Sequence, residues 1–387
     1  MLKKTSTLKN YKIQILRVVI GLNQGGVQQA LLNLAKNLDK TKFELIVCAI
    51  ENGGLIGNEI KNAGVKVIVL GYKRQPFKTI LALLRIIKEN NIDIVHASSY
   101  HPSLYGRIAG VLALTPVIMS YEHVIFDNFR PARALLNRIL NFFTQGYTAV
   151  SKGVSNQVIK WYGYSEKKVY TVYNGVDTIK FSPKLSKASA KKKIKINSTA
   201  LVIGMICRLD LSKGHKYFFE AISKLRQKQK YTLEFVIIGT GPAENAIIDL
   251  AKAYGLEKTV KFLGVRRDID VCMNAIDIFC FPTLQEGFSN VLLEAMSSGC
   301  AIVASNFSSN LEILEDKKNS LIVQMKDSEQ LSRSIQRFID SKSLRIEMGR
   351  SARATIEKSF SVNVYSKNME YIYEKLWRDA NLLKPKY

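Results

Sequence analysis

The chain has 387 residues, of which 47% are apolar and 23% charged, a globular composition with enough length for two domains. No apolar run reaches the roughly 18 residues of a bilayer span. The basic N-terminus is interrupted by Lys12, Gln14 and Arg17 and has no small-residue cleavage site, which argues against a secretory signal. Five scattered cysteines without metal-ligand spacing argue against a zinc site and indicate a reduced, cytoplasmic protein.

The net charge of +25 is the unusual bulk property. Such an excess indicates a polyanionic partner, which could be nucleic acid, an anionic bilayer or a phosphorylated substrate. A solvated lysine-rich surface without any such partner is the alternative. Composition alone leaves both open.

The first half of the chain alternates short β-branched segments with amphipathic helical ones. Strands are predicted over 13–20, 43–50, 66–70, 92–96 and 116–120, with a glycine turn at Gly25 and Gly26 before the first helix. Buried strands that alternate with helices are typical of a parallel, doubly wound sheet.

The alternation stops between residues 173 and 195, where Asn174, Gly175 and Pro183 are turn signals and a lysine-rich stretch is predicted to be a loop-like linker. A second series follows, with strands over 200–206, 233–238, 259–262, 277–281 and 301–304, helices over 214–227 and 243–254, and a helical tail over about 343–380. The predicted fold is therefore α/β, with two Rossmann-like doubly wound parallel-sheet domains that face a central cleft. We expect one domain over residues 1–180, a second over 181–360, and a helix in 361–387 that packs back toward the first domain.

Two carboxylates flank a turn and a helix start in the segment EGFSNVLLE, which runs from Glu286 to Glu294. Glu286 follows a predicted strand, and Glu294 lies about two turns into the helix. Backbone amides at a helix N-terminus attract anions. Hydroxyl-binding carboxylates beside an anion site suit a nucleotide sugar. The alternative is an ordinary strand–loop–helix unit with a first-turn acid and a solvated surface acid.

Other candidates also follow predicted strands, where ligands of such sheets bind. Gly25 and Gly26 would let the backbone approach a ligand. Arg208 and Lys213 could clamp a diphosphate, although surface charges are common in so basic a chain. His123 is a candidate polar contact or proton carrier.

The remaining histidines have simpler interpretations. His96 is predicted to be buried with its hydrogen bonds satisfied. His101 could be a surface residue that opens the next helix, and His215, in the first turn of a helix, is expected to be solvated.

Five motifs together resemble one enzyme family. EGFSNVLLEAMSSGCAIVAS is similar to the C-terminal signature of the family 4 retaining glycosyltransferases of GT-B architecture. GGVQQALLNLA, SYEH, VYNGVDTIKFSP and ICRLDLSKGH occur in that family's order and spacing. The resemblance covers residues 13–358 approximately. It implies that the domain over 1–180 binds the acceptor and that the domain over 181–360 binds the nucleotide sugar.

The resemblance implies a role for each candidate of the second domain. Glu294 would bind the ribose hydroxyls of the donor, and Glu286 would face the hydroxyls of the transferred sugar. Arg208 and Lys213 would hold the donor diphosphate. The backbone amides of the cradle would add to that site, and they belong to Gly287, Phe288, Ser289 and Asn290.

In the first domain, the resemblance implies that His123 contacts the transferred sugar near the reacting carbon and that Gly25 and Gly26 lie beside the acceptor and the phosphates. Glu122, directly before His123, departs from the pattern and has no assigned role. The family implies attack on the same face that the diphosphate leaves, with the diphosphate taking the acceptor proton.

No metal and no cofactor beyond the nucleotide-diphosphate sugar are expected, because fixed cations and helix-terminal amides can stabilise the leaving diphosphate. The acidic pair Asp268 and Asp270 is interpreted as the start of a helix. UDP-linked hexose or N-acetylhexosamine is favoured over GDP-mannose as donor, and a glycan or lipid-diphosphate-linked acceptor is expected in surface polysaccharide synthesis.

Two basic amphipathic segments, 130–143 and 77–88, could lie on an anionic membrane, which would place the protein peripherally on the inner face of the plasma membrane. They could instead simply cover the core of the first domain.

A dehydrogenase would need a GxGxxG turn, which is absent. A nucleic-acid-binding protein would leave Glu286 and Glu294 without a purpose, so no nucleic acid partner is expected.

Overall fold

The computed structural model describes residues 11–23, 25–123, 128–225 and 231–382. The chain forms two compact units, one of Met1–Gly175 with Val362–Tyr387 and one of Val176–Ser361. The division after Gly175 lies close to the residue 180 boundary suggested by the turn signals. The last helix belongs to the first unit.

The first unit is built on a seven-stranded sheet in the order β3-β2-β1-β4-β5-β6-β7, and every neighbouring pair is parallel. Its strands are β1 (Ile13–Gly21), β2 (Phe43–Asn52), β3 (Lys66–Val69), β4 (Ile94–Ser98), β5 (Val117–Glu122), β6 (Gly146–Ala149) and β7 (Val169–Thr171). Its helices are α1 (Gly26–Asn37), α2 (Gly54–Asn62), α3 (Pro76–Glu89), α4 (Tyr100–Leu112), α5 (Pro131–Asn141), α6 (Lys152–Tyr162) and, from the chain end, α14 (Val362–Leu382).

The second unit repeats the plan with a six-stranded parallel sheet in the order β10-β9-β8-β11-β12-β13. Its strands are β8 (Leu201–Ile206), β9 (Leu233–Ile238), β10 (Val260–Phe262), β11 (Ile278–Phe281), β12 (Ala301–Ser305) and β13 (Leu321–Val323). Its helices are α7 (Lys187–Lys193), α8 (His215–Ser223), α9 (Glu244–Ala253), α10 (Ile269–Ala275), α11 (Asn290–Ser297), α12 (Ser328–Asp340) and α13 (Lys342–Ser359). The predicted α/β class with two doubly wound parallel sheets is confirmed.

Alternating side chains of each central strand enter separate cores, because successive residues of a strand point to opposite faces. In β1, Ile15 and Val19 pack on one side of the sheet, while Leu16 and Val18 pack on the other. Helices cover both faces, so the central strands are apolar nearly throughout. This arrangement leaves the strand ends as the places where polar side chains can collect.

Chain order reverses between β8 and β11 in the second sheet, where Ile278 of β11 pairs with Ile203 of β8. Loops that leave neighbouring strands at such a switch point diverge and leave room for a ligand. The loops after β8 and β11 carry Arg208, Lys213 and Glu286. The topology therefore brings three candidates to one sheet edge.

The lysine-rich stretch after Pro183 is not the loop that its composition predicts. Residues 187–193 form α7, and Lys191 is buried there with its ammonium 2.7 Å from the Asp277 carboxylate. The prediction failed because a short amphipathic helix buries only one face. On that face of α7, Lys191 forms its buried ion pair with Asp277. The predicted helical tail consists of two helices, α13 and α14, which are separated at residues 360–361.

A buried cation lies inside the first unit. The Arg17 side chain, 2% exposed, donates to Tyr373 Oη at 3.1 Å and to Ser98 Oγ at 3.0 Å, and it contacts His96 Nδ1 at 2.8 Å. Nε2 of His96 lies 3.0 Å from Thr148 Oγ1, which confirms the prediction of a buried, satisfied histidine. Burial, with the Arg17 charge, holds the pKa of His96 well below its usual value.

Tyr373 ties α14 to this cluster, so we predict that Tyr373→Phe lowers the free energy of unfolding by about 1–3 kcal/mol, the cost of leaving buried polar groups without a partner. Chemical denaturation measures the change. Tyr371→Phe, on the exposed side of the same helix, is the matched control and should alter stability by less than about 0.5 kcal/mol. Equal effects in the two variants would contradict a specific role for the Tyr373 hydroxyl.

Candidate active site

The loop between β11 and α11 carries the predicted anion cradle. Ser289 caps α11, with its Oγ accepting a hydrogen bond from the Leu292 amide at 3.3 Å. Phe288 is buried, and its ring lies 6.3 Å from that of Phe360. Packing and capping therefore fix the backbone of Gly287 to Asn290 at the positive end of the helix dipole.

Glu286 forms an ion pair with Lys213, whose Nζ lies 2.8 Å from Glu286 Oε2 and 3.3 Å from the Gln285 carbonyl oxygen. The two side chains are 23% and 14% exposed. The sequence assigned these residues to different parts of a ligand. The structure places them in contact.

A close approach of two loops creates this contact. Lys213 ends the short 3-10 turn Leu211–Lys213 after β8, and the Leu284 amide donates to the Ser212 carbonyl oxygen at 2.7 Å. Gly214 follows in the left-handed region, with φ of 77°, and a Cβ there would lie 1.9 Å from the Pro282 carbonyl oxygen. Only glycine suits this position, for both reasons.

Arg208 lies at the same sheet edge with two thirds of its side chain exposed, and its Nη2 is 2.8 Å from Asp210 Oδ2. Asp210 Oδ1 accepts hydrogen bonds from Ser212 Oγ at 2.8 Å and from the Ser212 amide at 3.0 Å. These bonds, with the nearby cations, lower the pKa of Asp210. Asp210 was missed from the sequence, although Asp-x-Ser before a turn is a known signal for such capping.

Glu294 lies on α11 and is partly buried. Burial raises the pKa of its carboxyl from 4.5 to about 8, against the opposing effect of Lys180. The partial burial of Glu294 does not fit the alternative of a fully solvated surface acid. A carboxyl that is costly to ionise in the free protein is suited to gain hydroxyl hydrogen bonds from a ligand.

His123 follows β5 in the first unit, directly before residues 124–127, which lie outside the described part of the chain. Its ring lies 5.7 Å from that of Tyr121, and its buried Nδ1 has no hydrogen-bond partner within the described residues. Burial lowers the pKa of His123 to about 4. The imidazole is therefore neutral at physiological pH and suited to hydrogen bonding.

Gly25 and Gly26 lie between β1 and α1, and Gly26 is the first residue of α1. Gly25 has an extended backbone, so its φ does not require glycine. A Cβ there would lie 2.6 Å from Gln28 Oε1, the end of a flexible side chain. The neighbouring Gln24 lies outside the described residues.

Two family models together match most of the chain. One described as "Glycosyltransferase Family 4" matches residues 24–180, and one described as "Glycosyl transferases group 1" matches residues 186–355. A glycosyltransferase from Rickettsia africae has a similar fold, with a TM-score of 0.84, 22% identity and coverage of 95% of this chain and 99% of that one. The chain is a glycosyltransferase of GT-B architecture.

Two further proteins extend the comparison. The UDP-Gal:alpha-D-GlcNAc-diphosphoundecaprenol alpha-1,3-galactosyltransferase of Escherichia coli is 28% identical, over 91% of this chain and 94% of that protein. HepE from Anabaena, solved in complex with UDP, has a TM-score of 0.83 at 21% identity and covers 94% of this chain and 100% of that one. Membership of this family excludes the dehydrogenase alternative.

His215 differs from expectation, and the surroundings of Glu122 are now defined. His215 is not solvated; it is 1% exposed, its Nε2 lies 3.4 Å from Cys207 Sγ, and burial lowers its pKa to about 4. Gly214, directly before it in the chain, packs against Pro282. Glu122, whose role was open, is 4% exposed, and burial raises its pKa to about 7 against the opposing charges of Arg107 and Arg133.

The Asp268-x-Asp270 pair opens α10, as expected from its sequence. Asp268 accepts two hydrogen bonds from Arg266, at 2.9 and 2.6 Å. Across the described ranges, no group of three or more His, Cys, Asp or Glu side chains could hold a metal ion.

The raised pKa of Glu294 predicts a pH-dependent stability. Between the unfolded value of 4.5 and the folded value of about 8, the unfolded chain has lost a proton that the folded protein keeps, so this carboxyl makes stability fall as pH rises. Glu294→Gln should gain stability relative to the parent by about 1 kcal/mol or more between about pH 5 and pH 8.5.

Urea denaturation of both proteins at the two pH values measures the gain. Glu257→Gln, at an exposed position of the same unit, should show no such pH-dependent difference. A difference between Glu294→Gln and the parent that stays constant with pH would contradict a buried, neutral Glu294.

Proposed function

We propose that this glycosyltransferase transfers a hexose or N-acetylhexosamine from a UDP-sugar, with retention of configuration and without a metal ion, to a glycan or lipid-diphosphate-linked acceptor. The observation that carries the proposal is the meeting of Lys213, Glu286 and the capped start of α11 at one edge of the second sheet. Cations, amides and carboxylates in one place match the chemistry of a sugar diphosphate.

The donor's diphosphate would take the cationic side of this site. Arg208 would bind it through a planar fork, Lys213 as a point charge, and the amides of residues 287–290 would add donors at the helix N-terminus. These groups would stabilise the negative charge that develops on the leaving diphosphate. No additional cofactor is proposed.

The carboxylates of the site would accept hydrogen bonds from the hydroxyl groups of the donor. Glu294, partly buried on α11, would accept hydrogen bonds from the ribose, and Glu286 from the transferred sugar. In the first unit, the neutral His123 would contact the transferred sugar, and Gly25 and Gly26 would lie beside the acceptor. With Glu294 on the ribose, no second carboxylate is assigned to a double displacement, so same-face attack is proposed, with the diphosphate taking the acceptor proton.

The choice of donor and acceptor draws on the names of two relatives. The E. coli relative uses UDP-Gal and an acceptor on diphosphoundecaprenol. A Campylobacter jejuni relative, 25% identical over 83% of this chain and 89% of that protein, is an N-acetylgalactosaminyltransferase that acts on a diphospho-undecaprenol acceptor. A role in bacterial surface polysaccharide or lipid-linked glycan synthesis is proposed on that basis.

UDP and UDP-sugars should therefore raise the melting temperature of this protein without added metal, and GDP, ADP and NAD should not. At a ligand concentration about 100 times Kd, the stabilisation is about 2.7 kcal/mol. Thermal-shift titration measures it. Glu294→Ala should abolish the UDP effect, and Glu257→Ala should retain it. A shift with NAD or nucleic acid alone would overturn the proposed class of substrate.

A surface of the first unit supports a membrane-bound acceptor. Helix α5 buries Ala134 and Asn137 and leaves an apolar face in solvent. This face, with the residues that follow the helix, consists of Leu135, Leu136, Ile139, Phe142 and Phe143, which are 41–85% exposed. A helix that covered the core would have buried them. These exposed apolar residues favour the membrane interpretation of α5 over that of a simple core helix.

Helix α3 behaves differently. It buries Leu83, Ile86 and Ile87, as a core helix does, and leaves only its first turns apolar and exposed at Phe77 and Leu81. None of the helices in the described ranges is long and apolar enough to cross a membrane. We propose that α5 lies in the interface of an anionic bilayer, with exposed Arg130 and Arg138 beside the lipid headgroups, at the inner face of the plasma membrane.

The pair of changes Arg130→Glu and Arg138→Glu should weaken binding to vesicles that contain anionic lipid by about tenfold or more, since each basic residue near such a surface contributes about 1 kcal/mol. Vesicle sedimentation at low and high salt measures it. Lys216→Glu with Lys252→Glu, at exposed positions of the second unit, removes the same net charge and should have little effect. Equal losses would mean that net charge alone drives binding.

A further inference from the structure

Each cation proposed to hold the donor diphosphate already holds a carboxylate. Arg208 is paired with Asp210, and Lys213 with Glu286, both at 2.8 Å. A phosphate and a carboxylate make the same kind of hydrogen bond to these groups. An incoming diphosphate must therefore share or replace the carboxylates.

The two carboxylates differ in how firmly they are held. Asp210 accepts two hydrogen bonds from Ser212 besides the bond from Arg208, so it is fixed to the 3-10 turn. Arg208 is largely exposed and keeps donors free to face a ligand while it stays paired. Asp210 can remain in place when a diphosphate binds.

Glu286 has no such anchor. Within the described part of the chain, Lys213 is the sole hydrogen-bond partner of its carboxylate. The Lys213 side chain is only 14% exposed, and its ammonium also donates a hydrogen bond to the Gln285 carbonyl oxygen. A phosphate that binds Lys213 therefore competes with Glu286 for the ammonium in a confined place.

We propose that Glu286 occupies Lys213 in the empty site and is displaced by the donor diphosphate, which frees its carboxylate for the hydroxyls of the transferred sugar. This proposal rests on the proposed function and adds a specificity role for Glu286. When a bare nucleoside diphosphate binds, the protein loses the Lys213–Glu286 ion pair, and the ligand offers the freed carboxylate no hydrogen bond in exchange. The sugar nucleotide returns hydroxyl hydrogen bonds.

Glu286 thus favours the substrate over the product. Once the sugar has been transferred, the carboxylate has no hydroxyl partner and competes again for Lys213, which weakens the hold on the nucleoside diphosphate. A nucleoside without phosphates does not reach Lys213, so its affinity is independent of this exchange.

Calorimetric titration with UDP, uridine and a UDP-sugar tests the exchange. In Glu286→Gln, UDP should bind about three- to tenfold more tightly, the range for a charged hydrogen bond that is partly exposed. Uridine affinity should stay unchanged, and the preference for the UDP-sugar over UDP should fall. Glu329→Gln, which breaks the exposed pair with Lys224 in the same unit, should leave all three affinities unchanged.

A double-mutant cycle separates competition for Lys213 from a general change in charge. In a Lys213→Met background, adding Glu286→Gln should no longer tighten UDP binding. Turnover should fall in Glu286→Gln while inhibition by UDP strengthens.

UDP binding that is equal or weaker in a folded Glu286→Gln protein overturns the exchange and leaves the proposed function standing. Tightening that persists in the Lys213→Met background also overturns it, because the effect would then not pass through Lys213. If the parent protein binds no nucleoside diphosphate, the proposed function fails and the exchange fails with it.

Discussion

The hydrogen bond and close packing between the loops after β8 and β11 are the constraint on which the donor site depends. The Leu284 amide is bonded to Ser212, and Gly214 lies directly against Pro282. These two contacts set the distance between the turn that ends at Lys213 and the loop that carries Glu286. Any residue larger than glycine at 214 would separate the loops and with them the ion pair.

The electrostatics of the site follow from this placement. Lys213 and Glu286 are both largely shielded from water, and each lowers the cost of keeping the other charged. Burial raises the pKa of Glu294, on the next helix, against the opposing effect of Lys180. The two carboxyl groups of the site therefore have different surroundings, one paired with Lys213 and the other affected chiefly by burial.

The first unit shows the same separation of roles between a fixed interior and an accessible edge. Arg17, His96 and Tyr373 form a buried polar cluster that ties the last helix to the central strands. His123 lies at the end of β5, where no strand neighbour satisfies its Nδ1 among the described residues. The exposed side chains of Arg130 and Arg138 carry part of the excess positive charge, in the same segment as the exposed apolar face of α5.

The sequence by itself determined the two alternating series of strands and helices, the glycine turns and the segment from Glu286 to Glu294, because periodicity and turn chemistry are local properties. It could not determine that residues 187–193 are helical with Lys191 buried, or that His215 points inward. Those outcomes depend on tertiary packing, as Lys191 shows through its pair with Asp277, which is distant in the sequence.

Only the tertiary structure decided which charges are paired and which groups are neutral. Lys213 and Glu286 are 73 positions apart, and their contact exists because parallel neighbours β8 and β11 end at one sheet edge. The raised pKa of Glu294 and the exposed apolar face of α5 also depend on tertiary packing. Burial is set by what packs against a residue, and no local pattern contains that information.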